Sequence, residues 1–373
     1  MMHVYVTIKA LESMALMTRW NKILSCREVY EIYIDATEDT LSQFSNNYEE
    51  DFSYDDCSDV SPISQLIRDG IIRPNAAKQK IEEIKDNPLK VLEDPSAVYF
   101  LDVTPEEAAD IQKQYGVICK NENEIDDTEL GDWGEIISSE GDLDHSWSEF
   151  LAKIKQEPTN SILISDRFVF SNDELANDRK SNGIDNIISI IDAILPKSFT
   201  QDSQYHVFIL YSDKNPKGES NCKIAFNKLA KKLSEKISDL RKGKYKILVE
   251  VVAVPGNSYG YEWTHNRRVM TNYHIIRTEH NLKAFCSDKS ICSQTLNWDS
   301  LFSKGIMDKN DISYKNFKIL LNNIQKINTF GKANPERSMY KYACDGICPK
   351  SSTEKDRIIF SDIRNRMVYY TSI

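Results

Sequence analysis

The alternation of apolar and polar residues predicts strands and helices in regular succession along the chain. In the first part, an alternating segment at 29–35 and an apolar run at 96–103 indicate strands. The sequence TPEEAADIQKQYG follows the run at 96–103 and precedes the next strand. It indicates a helix, with Thr104 as N-cap and Gly116 at its end. Strand, helix and strand in this order are typical of a small α/β unit.

The second part repeats the same kind of pattern on a larger scale. Apolar runs at 161–171, 205–212 and 245–254 predict buried strands. Between them, 186–196 is an apolar segment ended by Pro196 and 223–244 is an amphipathic basic segment, and both predict helices. We therefore expect a second α/β sheet with helices layered on it.

Charge divides the chain near residue 150. The 373 residues carry a formal net charge of −10. Residues 1–150 contain 12 Lys and Arg against 33 Asp and Glu, a net charge of −21, whereas residues 151–373 contain 35 against 24, a net charge of +11. The sequence therefore predicts an acidic N-terminal α/β domain, 1–150, with a regulatory or partner-binding role, and a basic domain, 151–373, suited to anions.

The compartment follows from what the sequence lacks. No run of 18 apolar residues predicts a membrane span, and the N-terminal segment has charges where a signal peptide would be apolar. We therefore expect a cytoplasmic protein with reduced thiols. Zinc binding is an alternative for Cys286, Cys292, Cys344 and Cys348, but their spacing lacks the two-residue knuckles of typical zinc sites.

One segment, THNRRVMTNYHIIRTEHNLKAF at 264–285, concentrates polar groups suited to phosphate chemistry. It gives the pattern H-x-R-x4-N through His265, Arg267 and Asn272. On a strand, His265 and Arg267 would lie on one face. An arginine there can bind a phosphate bidentately, and an imidazole can attack it or transfer a proton near neutral pH.

This pattern resembles the H-x-K-x4-D signature of the phospholipase D superfamily. The resemblance covers about residues 160–330 and implies a mixed-sheet α/β domain that cleaves phosphodiesters without a metal cofactor. It implies that His265 is the nucleophile or the acid opposite it, and that Arg267 binds phosphate. It also implies that Asn272 stands at the aspartate position and that Asn281 is a further phosphate ligand. Because family enzymes use two motif copies and this chain has one, it also implies a homodimer.

The departures from the family pattern keep a second interpretation open. Arginine replaces lysine, asparagine replaces aspartate and the family's Gly-Ser turn is missing, which favours a non-catalytic module that binds phosphate-bearing ligands or a protein partner. His274 and His280 flank the motif, and they either support it or lie on the surface. Under the first interpretation the protein is a nuclease, and its acidic half restrains it. By analogy, such a nuclease would be a defence effector.

Two further groups of residues have a functional and an ordinary interpretation. Lys231 and Lys232, on the basic helix 223–244, either contact nucleic acid or belong to a solvated helix face. Asp35 and Asp102 follow predicted strands, where carboxylates can gather a divalent metal, but they also serve as caps.

Overall fold

A computed structural model divides the chain into two compact units. The first comprises residues 1–134 and 373, and the second comprises 135–372. The residues that the structure describes are 2–15, 17, 20, 26, 30–43, 72–73, 78–125, 137–139, 146–154, 157–171, 182–212, 220, 222–254, 267–278, 281–285, 296–302, 308–311, 314–315, 317–319, 322 and 341–344.

The first unit is built on a parallel sheet. Its described strands follow the order β3-β2-β1-β4-β5, and every neighbouring pair is parallel. They are β1 (Met2–Val6), β2 (Tyr30–Ile34), β3 (Ile72–Arg73), β4 (Val98–Leu101) and β5 (Ile118–Asn121). Parallel strands need crossover connections, and helices supply these in α/β folds.

Described helices follow β1, β3 and β4 along the chain of the first unit. They are α1 (Ile8–Ala15), α2 (Lys78–Asp86), a 3₁₀ helix (Pro88–Glu93) and α3 (Pro105–Tyr115). The side chain of Thr104 accepts a hydrogen bond from the backbone of Glu107, whose side chain accepts one in return, and Gly116 ends α3 at a φ of +64°. These are the residues from which the sequence predicted this helix, and the structure confirms it.

The second unit contains a larger, mixed sheet. Its described strands follow the order β13-β9-β8-β7-β10-β11-β12-β6, in which β7, β8 and β9 are parallel and the other pairs antiparallel. They are β6 (Ile137–Ser139), β7 (Ser161–Ser165), β8 (Gln204–Ser212), β9 (Lys246–Val254), β10 (Arg268–Thr271), β11 (His274–Thr278), β12 (Leu296–Ser300) and β13 (Lys341–Cys344).

Helices cover one face of this sheet. They are α4 (Trp147–Ala152), α5 (Gly183–Ile194) and α6 (Phe226–Leu240). Alternate strand residues such as Ile164 and Ile209 lie in one buried core with Ile187 of α5 and Leu233 of α6. We call this side of the sheet the helix face and the other side the opposite face.

The α/β class predicted from the sequence is confirmed, but the boundary between the units lies earlier than residue 150. Strand β6 pairs with β12, and the buried indole of Trp147 donates a hydrogen bond of 2.9 Å to Asn186 of α5. Both contacts belong to the second unit. At the structural boundary the contrast in charge is smaller, since residues 1–134 carry 12 basic and 28 acidic side chains, a net of −16, and residues 135–372 carry 35 and 29, a net of +6.

Membrane insertion finds no support in the described helices. None of them is both long enough and apolar enough to cross a bilayer.

Candidate functional site

A buried carboxylate organises the carboxyl end of β7. Asp166 directly follows β7, and its backbone N–H donates to the carbonyl of Leu210 at 3.1 Å, which extends the pairing with β8. Its Oδ1 accepts a hydrogen bond from the backbone of Phe168 at 2.8 Å, and its Oδ2 accepts one from Leu282 at 2.6 Å. The carboxylate therefore joins residues 166–171, which we call the Asp166 turn, to a segment 116 residues further along the chain.

The surroundings of Asp166 set its protonation. Burial raises the pKa of this fully buried carboxyl to about 6, while the two backbone N–H groups and the charges of Arg267 and Lys283 act in the opposite direction. A carboxyl in this range changes charge close to neutral pH, as few unperturbed carboxyls do.

Three cationic side chains lie around the same turn. The guanidinium carbons of Arg167 and Arg267 lie 5.1 and 6.0 Å from the ring centroid of Phe168. The ammonium of Lys283 donates to the carbonyl of Ser171. Among the described side chains around this turn, three cations accompany one carboxylate, which suits an anionic group.

Two residues chosen from the sequence meet here. Arg267 directly precedes β10, and Asn281 precedes Leu282, whose backbone binds Asp166. The Oδ1 of Asn281 accepts a hydrogen bond from the backbone of Lys283 at 2.9 Å, which forms a local turn. The structure thus brings Arg267 and Asn281 to one edge of the sheet.

Asn272 does not belong to this site. In the antiparallel pair of β10 and β7, Arg268 lies opposite Ser165 while Thr271 lies opposite Ile162, so Arg267 and Asn272 lie at opposite ends of the pair. Five residues of extended strand separate their Cα atoms by roughly 16 Å.

The contacts of Asn272 are structural. It is fully buried, and its Oδ1 accepts hydrogen bonds from the backbone of Asn160 at 2.9 Å and of Ser161 at 3.2 Å. The hydroxyls of Thr159 and Ser161 donate to the same oxygen at 3.2 and 3.3 Å. Its Nδ2 donates to Oδ1 of Asn160 at 2.9 Å. A side chain with this set of partners fixes the chain before β7 to the turn after β10, and it has little left to offer a ligand.

Of the three histidines in and beside the motif, only His274 lies among the described residues. His265 and His280 lie outside the described residues, so the role of His265 as nucleophile stays a prediction. His274 is buried, with its ring centroid 4.6 Å from that of Trp298, and burial lowers its pKa to about 3. It is therefore a neutral residue of the helix-face core, and it does not lie on the surface.

The lysines of α6 are placed on the helix layer. Lys231 forms an ion pair of 3.7 Å with Glu235 one turn later, and Lys232 is half-buried. Lys236 and Arg241 pair with Asp185 and Asp192. No described hydrogen bond or ion pair links Lys231 or Lys232 to the Asp166 turn, and much of the helix's charge is balanced by neighbouring acids.

The carboxylates of the first unit are engaged as caps and ion pairs. Asp35 accepts a hydrogen bond of 3.0 Å from the backbone of Ile8, at the start of α1, and burial raises its pKa. Asp102 pairs with Lys85 at 2.9 Å. Glu122 accepts a hydrogen bond from Thr7 at 2.7 Å. Within the described ranges, no three His, Cys, Asp or Glu side chains are placed to hold a metal ion.

The proposed zinc ligands are not tested. Cys286, Cys292 and Cys348 lie outside the described residues, and only the backbone of Cys344 is described, as the last residue of β13.

Sequence reasoning missed Asp166 and Lys283. The signal for Asp166 was its position directly after a buried strand, where ligand-binding groups of α/β sheets gather. Nothing in the local sequence shows that Leu282 donates to it, because that contact depends on the fold of a distant segment.

Comparison of the chain with family models, with curated proteins and with solved structures found no significant match. The resemblance to the phospholipase D superfamily therefore stays a prediction that rests on the motif.

Proposed function

We propose that the second unit binds a phosphate-bearing ligand at the Asp166 turn and cleaves its phosphodiester bond with His265. The observation that carries this proposal is the convergence of Arg267 and Asn281, both selected from the sequence for phosphate binding, on the buried Asp166. Arg167 and Lys283 add positive charge at the same edge. A nucleic-acid backbone is the substrate class that fits this charge best.

Each group has a distinct part in the reaction. Arg267 orients the phosphate through its planar fork of donors, and Lys283 attracts it as a point charge. The imidazole of His265 attacks phosphorus, the P–O bond to the leaving group breaks, and a proton goes to the departing oxygen. Water then hydrolyses the phosphohistidine and restores the enzyme. No metal takes part in these steps.

A homodimer would complete this chemistry. One histidine forms the phosphohistidine, and a second must supply the proton to the leaving oxygen. Because the chain has a single copy of the motif, a second subunit is the source of that acid.

Binding without turnover is the second candidate function. It is favoured by Asn272, which stands at the position of the family's aspartate but is used within the fold, away from Arg267. In this case the same edge binds a phosphate-bearing ligand and releases it unchanged.

Cleavage of DNA and RNA by the full-length protein in EDTA separates the two candidates. We expect His265→Ala to abolish cleavage and to keep binding of a labelled single-stranded oligonucleotide within a few fold. Lys246→Ala is the matched control, because Lys246 is an exposed cation at the opposite, amino end of the parallel strands. Equal cleavage by wild type and His265→Ala would refute the catalytic proposal, and binding without cleavage by wild type would establish the second candidate.

A further inference from the structure

Two arginines lie side by side on the opposite face of the larger sheet. Arg268 of β10 and Arg277 of β11 are paired in register, and the neighbouring pair, Val269 and Ile276, belongs to the helix-face core. Because side chains alternate along a strand, Arg268 and Arg277 point to the other side of the sheet. They therefore lie on a different face from Arg267.

These arginines are buried, and nearby negative charge balances their positive charges only in part. Arg268 has a relative exposure of 8%, and the charges of Arg277 and Asp299 act on it. Arg277 pairs through Nη2 with Asp299, but its Nε is buried and has no partner within the described part of the chain. Two positive charges thus face one carboxylate.

Burial does not remove the charge of Arg268. Desolvation and the nearby Arg277 lower its pKa to about 10, and Asp299 opposes this shift. At neutral pH the guanidinium remains protonated. A buried charge is costly unless it is fully balanced, and guanidinium groups are normally buried with an anion to receive their donors.

We propose that Arg268 and Arg277 form a second anion-binding site, which takes a singly charged oxyanion such as a phosphodiester or a carboxylate group. The planar donors of two adjacent guanidinium groups match the two oxygens of such a group, and the Nε of Arg277 is buried without a described partner. The carboxylate of Asp299 fixes Arg277 and leaves a net charge of +1 for the three side chains, which favours a monoanion over a dianion. This site is separate from the Asp166 turn and does not depend on the function proposed for it.

Thermal unfolding of the full-length protein tests the proposal with dimethyl phosphate and acetate as probes, each against chloride at equal ionic strength. We expect a rise in Tm that grows with the logarithm of the probe concentration above Kd and reaches about 3 °C at ten times Kd. The rise that persists in Arg267→Met reports on the second site, and we expect Arg268→Met to lack this share of the wild-type rise. In chloride alone, the Tm of Arg268→Met should equal or exceed that of wild type. The probe that gives the larger rise identifies the ligand as a phosphodiester or a carboxylate.

Arg268→Lys provides a second reading, because it keeps the charge but not the fork of donors, and it should retain only part of the rise. The proposal is overturned if Arg268→Met responds to both probes as wild type does, or if no probe raises the Tm of Arg267→Met. It is also overturned if Arg268→Met lowers the Tm in chloride by several degrees, since Arg268 would then be compensated within the chain.

Discussion

The two ends of the β7–β10 strand pair use polar residues in opposite ways. At the end with Asn272 the buried groups are neutral and saturate one another: one amide oxygen accepts from Asn160 and Ser161, and the imidazole of His274 is held uncharged nearby in the chain. At the end with Arg267 the described groups are charged, and three cations accompany the carboxylate of Asp166.

This difference shows why a sequence motif can join residues with unrelated tasks. The six residues from Arg267 to Asn272 run along the full length of a strand, so its first and last members reach opposite edges of the sheet. Neutral, saturated groups stabilise a fold, whereas an excess of one charge is available to a ligand. We therefore assign the Asn272 end to stability and the Arg267 end to binding.

The largest effect is expected on stability, from the substitution Asn272→Ala. It leaves the backbone N–H groups of Asn160 and Ser161 without an acceptor, and we expect the free energy of unfolding to fall by about 3–5 kcal/mol. Urea denaturation measures this, with Asn123→Ala, an exposed asparagine of the first unit, as the control. The assignment would be wrong if Asn272→Ala kept its stability and lost oligonucleotide binding.

The next largest effect is the loss of folding stability at acidic pH that His274 causes. Its folded pKa of about 3 lies below the ordinary histidine pKa of 6.5, so the unfolded chain binds the proton more readily and stability is lost as pH falls below 6.5. Between pH 7 and pH 5 this loss is about 2 kcal/mol. Urea denaturation at both pH values should show that His274→Leu lacks this loss, and an unchanged pH dependence would mean that His274 titrates normally.

Asp166 should change the free energy of unfolding with pH in the direction opposite to His274, and by a smaller amount. Its folded pKa of about 6 lies above the ordinary aspartate pKa of 3.8, so its contribution to stability is present at low pH and is lost as pH rises through 6. From pH 5 to pH 7 the loss is about 1 kcal/mol. Asp166→Asn should therefore gain stability relative to wild type over this range in denaturation experiments. A parallel pH profile for the two proteins would contradict the raised pKa.

The smallest effect is expected from the lysines of α6. Because Lys231 pairs with Glu235 and neither lysine contacts the Asp166 turn in the described structure, replacing Lys231 and Lys232 with Gln should change oligonucleotide affinity less than about twofold. Fluorescence anisotropy at two salt concentrations measures this. A tenfold loss would restore the basic helix as a binding surface.

The sequence predicted the elements better than the site. Thr104, Gly116 and the apolar run of β9 act locally, so their patterns indicate α3 and a buried strand without knowledge of the fold. The parts of the site that depend on tertiary contacts were not predictable in this way. Asp166 is defined by a hydrogen bond from Leu282, and the structural role of Asn272 by partners more than a hundred residues away.

The boundary between the units also depends on tertiary contacts, which local sequence patterns do not show. Composition placed it near residue 150, because the acidic stretch continues to that point. The pairing of β6 with β12 and the contact of Trp147 with Asn186 place the start of the second unit at residue 135, within that stretch.

The most direct test of the account is the affinity of the full-length protein for a labelled single-stranded oligonucleotide, compared between Arg267→Gln and Lys246→Gln. The two variants remove one cation each from opposite ends of the same sheet. We predict that Arg267→Gln weakens binding about tenfold and reduces the salt dependence by about one counterion, while Lys246→Gln binds as wild type does. Equal affinities for the two variants would contradict the assignment of the Arg267 end to ligand binding.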